Sequence, residues 1–298
     1  MTFSLASLAY APLVQWFQVA QNLTSQGEVL QRIGSLAQVP RERLAVQILG
    51  PGLDLSLGDT QVSFALMSAM KPFLLLYLLE TAGAETVAQW VDDRPSPESF
   101  DSLGQLLADG GRPRNPMINS GAMTLADRLP GATGADRCQG FVTWLNAQAG
   151  SSYHLDQPLL NCVQRGGRQG NIALVQALEL AGTVGHAART LDTYEHLCCL
   201  AGTVRDLARL GLLLALPHPQ IQPQHQAQVN QIMLTCGLYE ASEALAQQVG
   251  LPMKSGVSGA LVAVVPGQGT IAIYGPAIDA QGNSIAGLSF ISHCVNAP

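Results

Sequence analysis

Leu44-Ala-Val-Gln-Ile-Leu49-Gly-Pro-Gly-Leu53-Asp-Leu-Ser-Leu57 holds two short alternating runs joined by Gly50-Pro51-Gly52. A period of two sends successive side chains to opposite faces, and the glycine-proline-glycine join supplies the reversal, so the stretch predicts a β-hairpin. Directly after it the pattern changes. From Ser68 to about Cys236 the apolar spacing is helical, broken at Pro95-Ser96-Pro97, Gly110-Gly111, Gly131 to Gly134, Gly166-Gly167 and Pro217 to Pro223. Within it, Thr203-Val-Arg-Asp206 has the spacing of a helix-capping box. Strands return at Ala260–Val265 and Thr270–Tyr274, and an apolar helix follows near Ile285–Val295. Upstream, Leu13, Trp16, Phe17 and Ala20 form the stripe of a first helix. Two strand pairs this short are not stable alone, and the economical arrangement joins them in one antiparallel sheet with helices beside it. The expected class is α+β, with an antiparallel sheet built from N- and C-terminal strands, flanking helices and a helical middle region. We expect one domain over 1–298, with a sheet lobe of about 1–72 plus 235–298 and a helical lobe of about 73–234.

Composition narrows the function. A chain of 298 residues, 47% apolar and 12% charged, buries a sizeable core, which excludes disorder. A net charge of −6 with no basic stripe speaks against a nucleic-acid partner. Crossing a bilayer takes roughly 18 to 20 apolar residues, and Phe73–Leu79 and Leu210–Leu216 stop at Glu80 and Pro217, so no membrane partner is expected. No Lys or Arg precedes Arg32, which predicts a cytoplasmic protein without a secretory front end. The six cysteines show no C-x-x-C spacing and the six histidines are scattered, so reduced thiols, no metal and no cofactor are expected.

Thirteen of the 15 cationic side chains are arginine, and the only lysines are Lys71 and Lys254. Guanidinium keeps its proton, whereas an ammonium can be tuned to release it, so lysine is expected where arginine cannot serve. Lys71 closes Ser68-Ala69-Met70-Lys71 at the start of the helical region. Three residues apart on a helix, the hydroxyl and the amine share a face, and Pro72 fits a first turn whose amides lack helical acceptors. Ser68 is thus a candidate nucleophile and Lys71 its general base. Lys254 stands in Lys254-Ser255-Gly256, just before the strand at Ala260. Together, S-x-x-K and K-[ST]-G mark the penicillin-recognising serine acyl-transfer enzymes.

Longer segments narrow the likeness. Phe64-Ala-Leu-Met-Ser68-Ala-Met-Lys71, Arg112-Pro-Arg-Asn-Pro-Met-Ile-Asn119-Ser-Gly-Ala, Met233-Leu-Thr-Cys-Gly-Leu-Tyr239, Gly250-Leu-Pro-Met-Lys-Ser-Gly-Val257 and Gly282-Asn-Ser284 occur in order. Over about Gly27 to Gly287 the chain resembles the bacterial serine-dependent glutaminases, which share the β-lactamase-like (DD-peptidase-like) fold. The resemblance implies hydrolysis of the glutamine side-chain amide to glutamate and ammonia through an acyl-enzyme on Ser68. Lys71 would take the proton, Tyr239 would pass one to departing ammonia, and the amides of Ser68 and Val257 would form the oxyanion hole. It also implies a pocket lined by Asn119, Asn171, Tyr194 and Tyr239, with Lys254 auxiliary, and a homo-oligomer, dimer or tetramer.

Three pocket positions depart from the family. Arg32 replaces a tyrosine and Met67 a glutamine, and Gln164, seven residues before Asn171, replaces the glutamate that meets the substrate's α-ammonium. The two charge changes add positive charge, which predicts weaker glutamine binding and a specificity shifted toward an amide lacking a free ammonium, such as an N-acylated glutamine. The rival readings are a penicillin-interacting acyl-transferase and a non-catalytic amino-acid-binding homologue. The Asn-Pro-Met-Ile-Asn stretch weighs against the first and the retained lysines against the second.

Overall fold

The computed structural model describes residues 3–296. Strands β1 (Ala45–Gly50) and β2 (Leu53–Gly58) form the hairpin, with Ile48 opposite Leu55. Three further short strands are β3 (Phe64–Ala65), β4 (His154–Leu155) and β5 (Leu200–Gly202). Near the C-terminus come β6 (Met253–Ser255), β7 (Ala260–Val265) and β8 (Gly269–Tyr274). The main sheet runs β2-β1-β8-β7-β6, antiparallel throughout, so the two hairpins expected from the sequence meet along β1 and β8, with Ala45 opposite Tyr274. The α+β class follows as expected.

Both faces of the sheet are covered, which is why β7 and β8 are buried at every residue. Val46, Ile48, Leu261, Ala263, Ile271 and Ile273 pack on one side with Phe290 and Ile291 of the C-terminal helix Ile285–Val295. Ala45, Val262, Val264 and Ala272 face the larger helical core on the other. The helix lying on that second face is Val204–Ala215, started by the expected box: Asp206 N donates to Thr203 Oγ1 at 3.2 Å and Thr203 N to Asp206 Oδ2 at 2.9 Å.

The expectation of a middle region of helices alone, with breaks between them, needs correction. A second sheet, β3-β5-β4, draws two of its three strands from that region. Strands of two or three residues are too short to show a period, so pairing between distant segments, absent from local pattern, decides them. The small sheet positions Ser68. Phe64 pairs with Gly202, Ala65 with Ala201, and Leu66 N donates to Leu200 O at 2.8 Å, fixing the chain two residues before the hydroxyl.

Candidate active site

Ser68 lies in a single 3₁₀ turn, Met67–Met70, that runs into the helix Lys71–Ala82. In a 3₁₀ turn residues three apart eclipse, so Ser68 and Lys71 stack on one side. Met67 enters the turn at φ 46°, one of two non-glycine residues with positive φ among the described residues; the other is Tyr239 at φ 57°. A left-handed backbone costs a side-chain-bearing residue on the order of 1–3 kcal/mol and concentrates where geometry matters more than stability. Both strained residues belong to this site: Met67 lines its cavity, and the Tyr239 hydroxyl is near enough to Ser68 for that side chain to act on its pKa.

Both lysines are completely buried. Lys71 Nζ donates to Met117 O at 3.0 Å and to Asn119 Oδ1 at 2.8 Å. Burial lowers its pKa to about 7, against weaker opposing attraction from Cys198 and Asp101. A neutral amine has two N–H bonds, and these two acceptors use both, leaving the nitrogen lone pair free. Lys254 Nζ donates to Gly237 O at 2.9 Å and Ser255 O at 2.8 Å and lies 4.1 Å from the Tyr239 ring centroid. Burial, with repulsion from Lys71, drives its pKa well below the ordinary lysine value. The expectation that lysine is kept where the proton must be released agrees with both environments.

Tyr239 is buried, its pKa raised to about 12 by desolvation, while hydrogen bonds with Ser68 and Ser255 pull the other way. Its hydroxyl lies 3.3 Å from Ser255 O. The chain turns sharply at Gly256–Gly259, and Gly256 faces the Ser68 turn so closely that an added Cβ would sit 3.4 Å from Ser68 N and 3.2 Å from Ala69 N. This approach brings the chain leading into Val257 against the Ser68 turn, and both residues line one cavity.

Asn119 ties the remaining residues together. Its Oδ1 accepts from Lys71 and from the Tyr194 hydroxyl at 3.0 Å, and its Nδ2 donates to Asn171 Oδ1 at 3.0 Å. Asn119 opens the helix Asn119–Asp127, held by Asn115, whose Oδ1 accepts from Met117 N at 2.9 Å and Ile118 N at 3.2 Å. Asn115 was in the quoted motif but not singled out; an asparagine four residues before a helix entry, able to accept from the amides that follow it, is the signal that could have found it.

Two cavities adjoin. An outer groove of about 570 Å³ runs along Gln26–Arg32 and Ile278–Gly282. It shares Arg32, Phe100 and Val257 with a narrower inner cavity that contains Ser68, Asn119, Asn171 and Tyr194. The chemistry sits in the inner cavity, and the roomier groove is its approach. Arg32 and Met67 are on the inner wall as expected. Gln164 is not: its amide donates to Asp192 Oδ1 at 3.2 Å, away from the cavity lining. The wall instead carries Glu195 and Arg168, which sequence reasoning missed. Arg168 Nη2 donates to Glu195 Oε2 at 2.9 Å. Desolvation raises the Glu195 carboxyl to about 7, with Arg168 opposing it and Asp192 adding to it.

These features have counterparts in known proteins. The family model described as Glutaminase matches residues 27–297. The chain belongs to the glutaminase family. A glutaminase from Synechocystis is 42% identical over 279 residues, covering 93% of this chain and 85% of that one. A glutaminase from Vibrio parahaemolyticus is 33% identical, covering 89% of each. Among solved structures, the probable glutaminase of Bacillus subtilis superposes with a TM-score of 0.87 at 29% identity, over 95% of this chain and 94% of that one. The Bacillus subtilis glutaminase in covalent complex with 5-oxo-L-norleucine superposes at 0.85 and 29% identity, over 94% and 95%. The fold of this glutaminase-family chain is therefore the one the sequence motifs implied.

Proposed function

We propose that this protein hydrolyses L-glutamine to L-glutamate and ammonia, with Ser68 as nucleophile. The observation that carries the reading is Lys71, three residues after Ser68 at the start of the helix, fully buried, donating only to Met117 O and Asn119 Oδ1, with burial lowering its pKa to about 7. Lys71 takes the hydroxyl proton as Ser68 Oγ bonds to the side-chain carbonyl carbon, and the amides of Ser68 and Val257 receive the developing oxyanion. The carbon–nitrogen bond breaks as Tyr239 delivers a proton to the leaving ammonia and is reprotonated by the proton Lys71 had taken, so both groups are reset. Water then attacks the ester, Lys71 takes a proton from it and returns that proton to Ser68 Oγ as the ester bond breaks, and glutamate leaves with Ser68 restored. Lys254, above the Tyr239 ring, holds that hydroxyl in register; Asn119, Asn171 and Tyr194 orient the amide. Met67 supplies the strained entry to the nucleophile and Arg32 the charge at the mouth.

The reading is tested by incubation with 6-diazo-5-oxo-L-norleucine and intact-mass measurement. The parent should gain one covalent adduct and the Ser68→Ala variant none. Equal labelling of both would refute Ser68 as the nucleophile.

A further inference from the structure

The inner cavity must hold a zwitterion, yet its wall carries one carboxylate. Of the residues that line it, Glu195 alone is acidic, against the cations Arg32 and Arg168. Glu195 is 1% exposed, and its two oxygens are not equally occupied. Oε2 accepts from Arg168 Nη2. Oε1 lies 2.8 Å from Arg168 Nε but off the donor's line, so Oε1 is a buried carboxylate oxygen without a directed hydrogen bond, and so is Nε without an acceptor. A buried carboxylate oxygen that accepts no hydrogen bond is costly, and natural sites that keep one hold it for a ligand. Gln164, the residue expected at the substrate's ammonium, is neutral and off the wall; its amide donates to Asp192 and neighbours the Glu195 carboxyl.

We propose that Glu195 is the specificity-determining residue of this pocket, its Oε1 accepting the α-ammonium of the substrate. The assignment rests on the amide-hydrolysis reading above and deepens it. Arg168, on the carboxylate's other oxygen, is the positioning residue that aims Glu195 and opposes its neutralisation by burial. The loop Gly166-Gly167 brings Arg168 there: Gly167, at φ 74°, packs against the Arg32 carbonyl, where an added Cβ would stand 3.0 Å from that oxygen. The carboxylate missing at Gln164 is thus supplied from a different helix. The consequence is a site that selects free α-amino acids, the opposite of the N-acyl preference expected from the sequence.

The experiment is ammonia release from L-glutamine and from N-acetyl-L-glutamine by the parent, by Glu195→Gln and by the double variant Glu195→Gln/Gln164→Glu. The parent should prefer glutamine. Glu195→Gln should lower the glutamine to N-acetylglutamine ratio of kcat/KM by roughly 10- to 100-fold, chiefly through KM for glutamine, the size expected for one charge-assisted hydrogen bond. The double variant, which returns a carboxylate at the residue neighbouring position 195, should recover part of the ratio. A fall in both substrates by the same factor, or a parent that prefers N-acetylglutamine, would overturn the assignment while leaving the hydrolysis reading intact. Absence of Ser68-dependent ammonia from either substrate would overturn both.

Discussion

The nucleophile corner and the opposite wall of the cavity handle buried charge in contrary ways. Lys71 and Lys254 are enclosed among carbonyls and side-chain amide oxygen with no carboxylate in contact, and burial strips them toward neutrality. Glu195 is enclosed against Arg168, whose guanidinium opposes the effect of burial on the carboxyl, which still stands raised to about 7. The first arrangement makes a base and the second makes a counter-charge. A lone buried amine loses stability to become reactive, whereas a carboxyl paired with a guanidinium retains part of its charge for binding.

The contrast breaks most visibly at Ser68. Replacing it with alanine removes the nucleophile but no buried charge, so kcat should fall by roughly a thousandfold or more with the melting temperature little changed. An alanine variant releasing ammonia at the parent's rate would dissolve the distinction between the two regions.

Lys71→Met should then separate activity from stability. Its turnover should fall about 10² to 10⁴-fold, the range for a lost general base. Its stability should rise. Charging Lys71 in the fold costs about 5 kcal/mol, from 10.5 to about 7 in pKa. Against that, the Met117 carbonyl loses its donor, about 1–3 kcal/mol, while Asn119 Oδ1 keeps Tyr194. A net gain of about 2 kcal/mol at pH 7 is expected from urea unfolding. The sign follows from proton counts. Between pH 7 and 10.5 the unfolded chain holds the lysine proton and the folded chain does not, so parental stability climbs with pH across that window. The variant lacks this term, and its advantage should shrink as pH rises from 7 toward 10.

The same group governs the rate. Lys71 must be neutral to accept a proton, so log kcat/KM should rise with unit slope at low pH and level off near pH 7. An acid limb centred near pH 4 would point to a carboxylate as the base instead.

How much of this was legible depended on distance along the chain. Ser68, Lys71 and Lys254 were readable because a hydroxyl and an amine three apart carry their geometry with them and because only two lysines exist to be explained. The main sheet was readable because its strands are long enough to show alternation. Glu195 was not. It faces the cavity only because the helix Ala187–Cys198 is phased to present both Tyr194 and Glu195, and because the Gly166-Gly167 loop delivers Arg168 from 27 residues away. Counting seven residues back from Asn171 finds Gln164 in sequence but cannot say which side chain reaches the wall, since tertiary packing sets that.

The smallest expected effect tests whether the nucleophile corner is strained as well as stripped of charge. Met67 holds φ 46° in an all-buried turn, and its side chain lines the cavity. Glycine accepts that φ freely, so Met67→Gly relieves about 1 kcal/mol of backbone strain. It also loses the methionine's buried apolar surface, about 1.5–3 kcal/mol if nothing fills the space, and loosens the turn in the unfolded chain. Packing therefore outweighs relief, and the variant should melt lower despite its easier backbone, with kcat reduced a few-fold as Ser68 loses its fixed approach. Met67→Ala separates the two contributions: it loses nearly the same surface and keeps the strain, so it should be less stable than the glycine variant. If alanine proves the more stable of the two, the backbone at Met67 is not strained, and the economy that distinguishes this corner from the Arg168–Glu195 wall is one of charge alone.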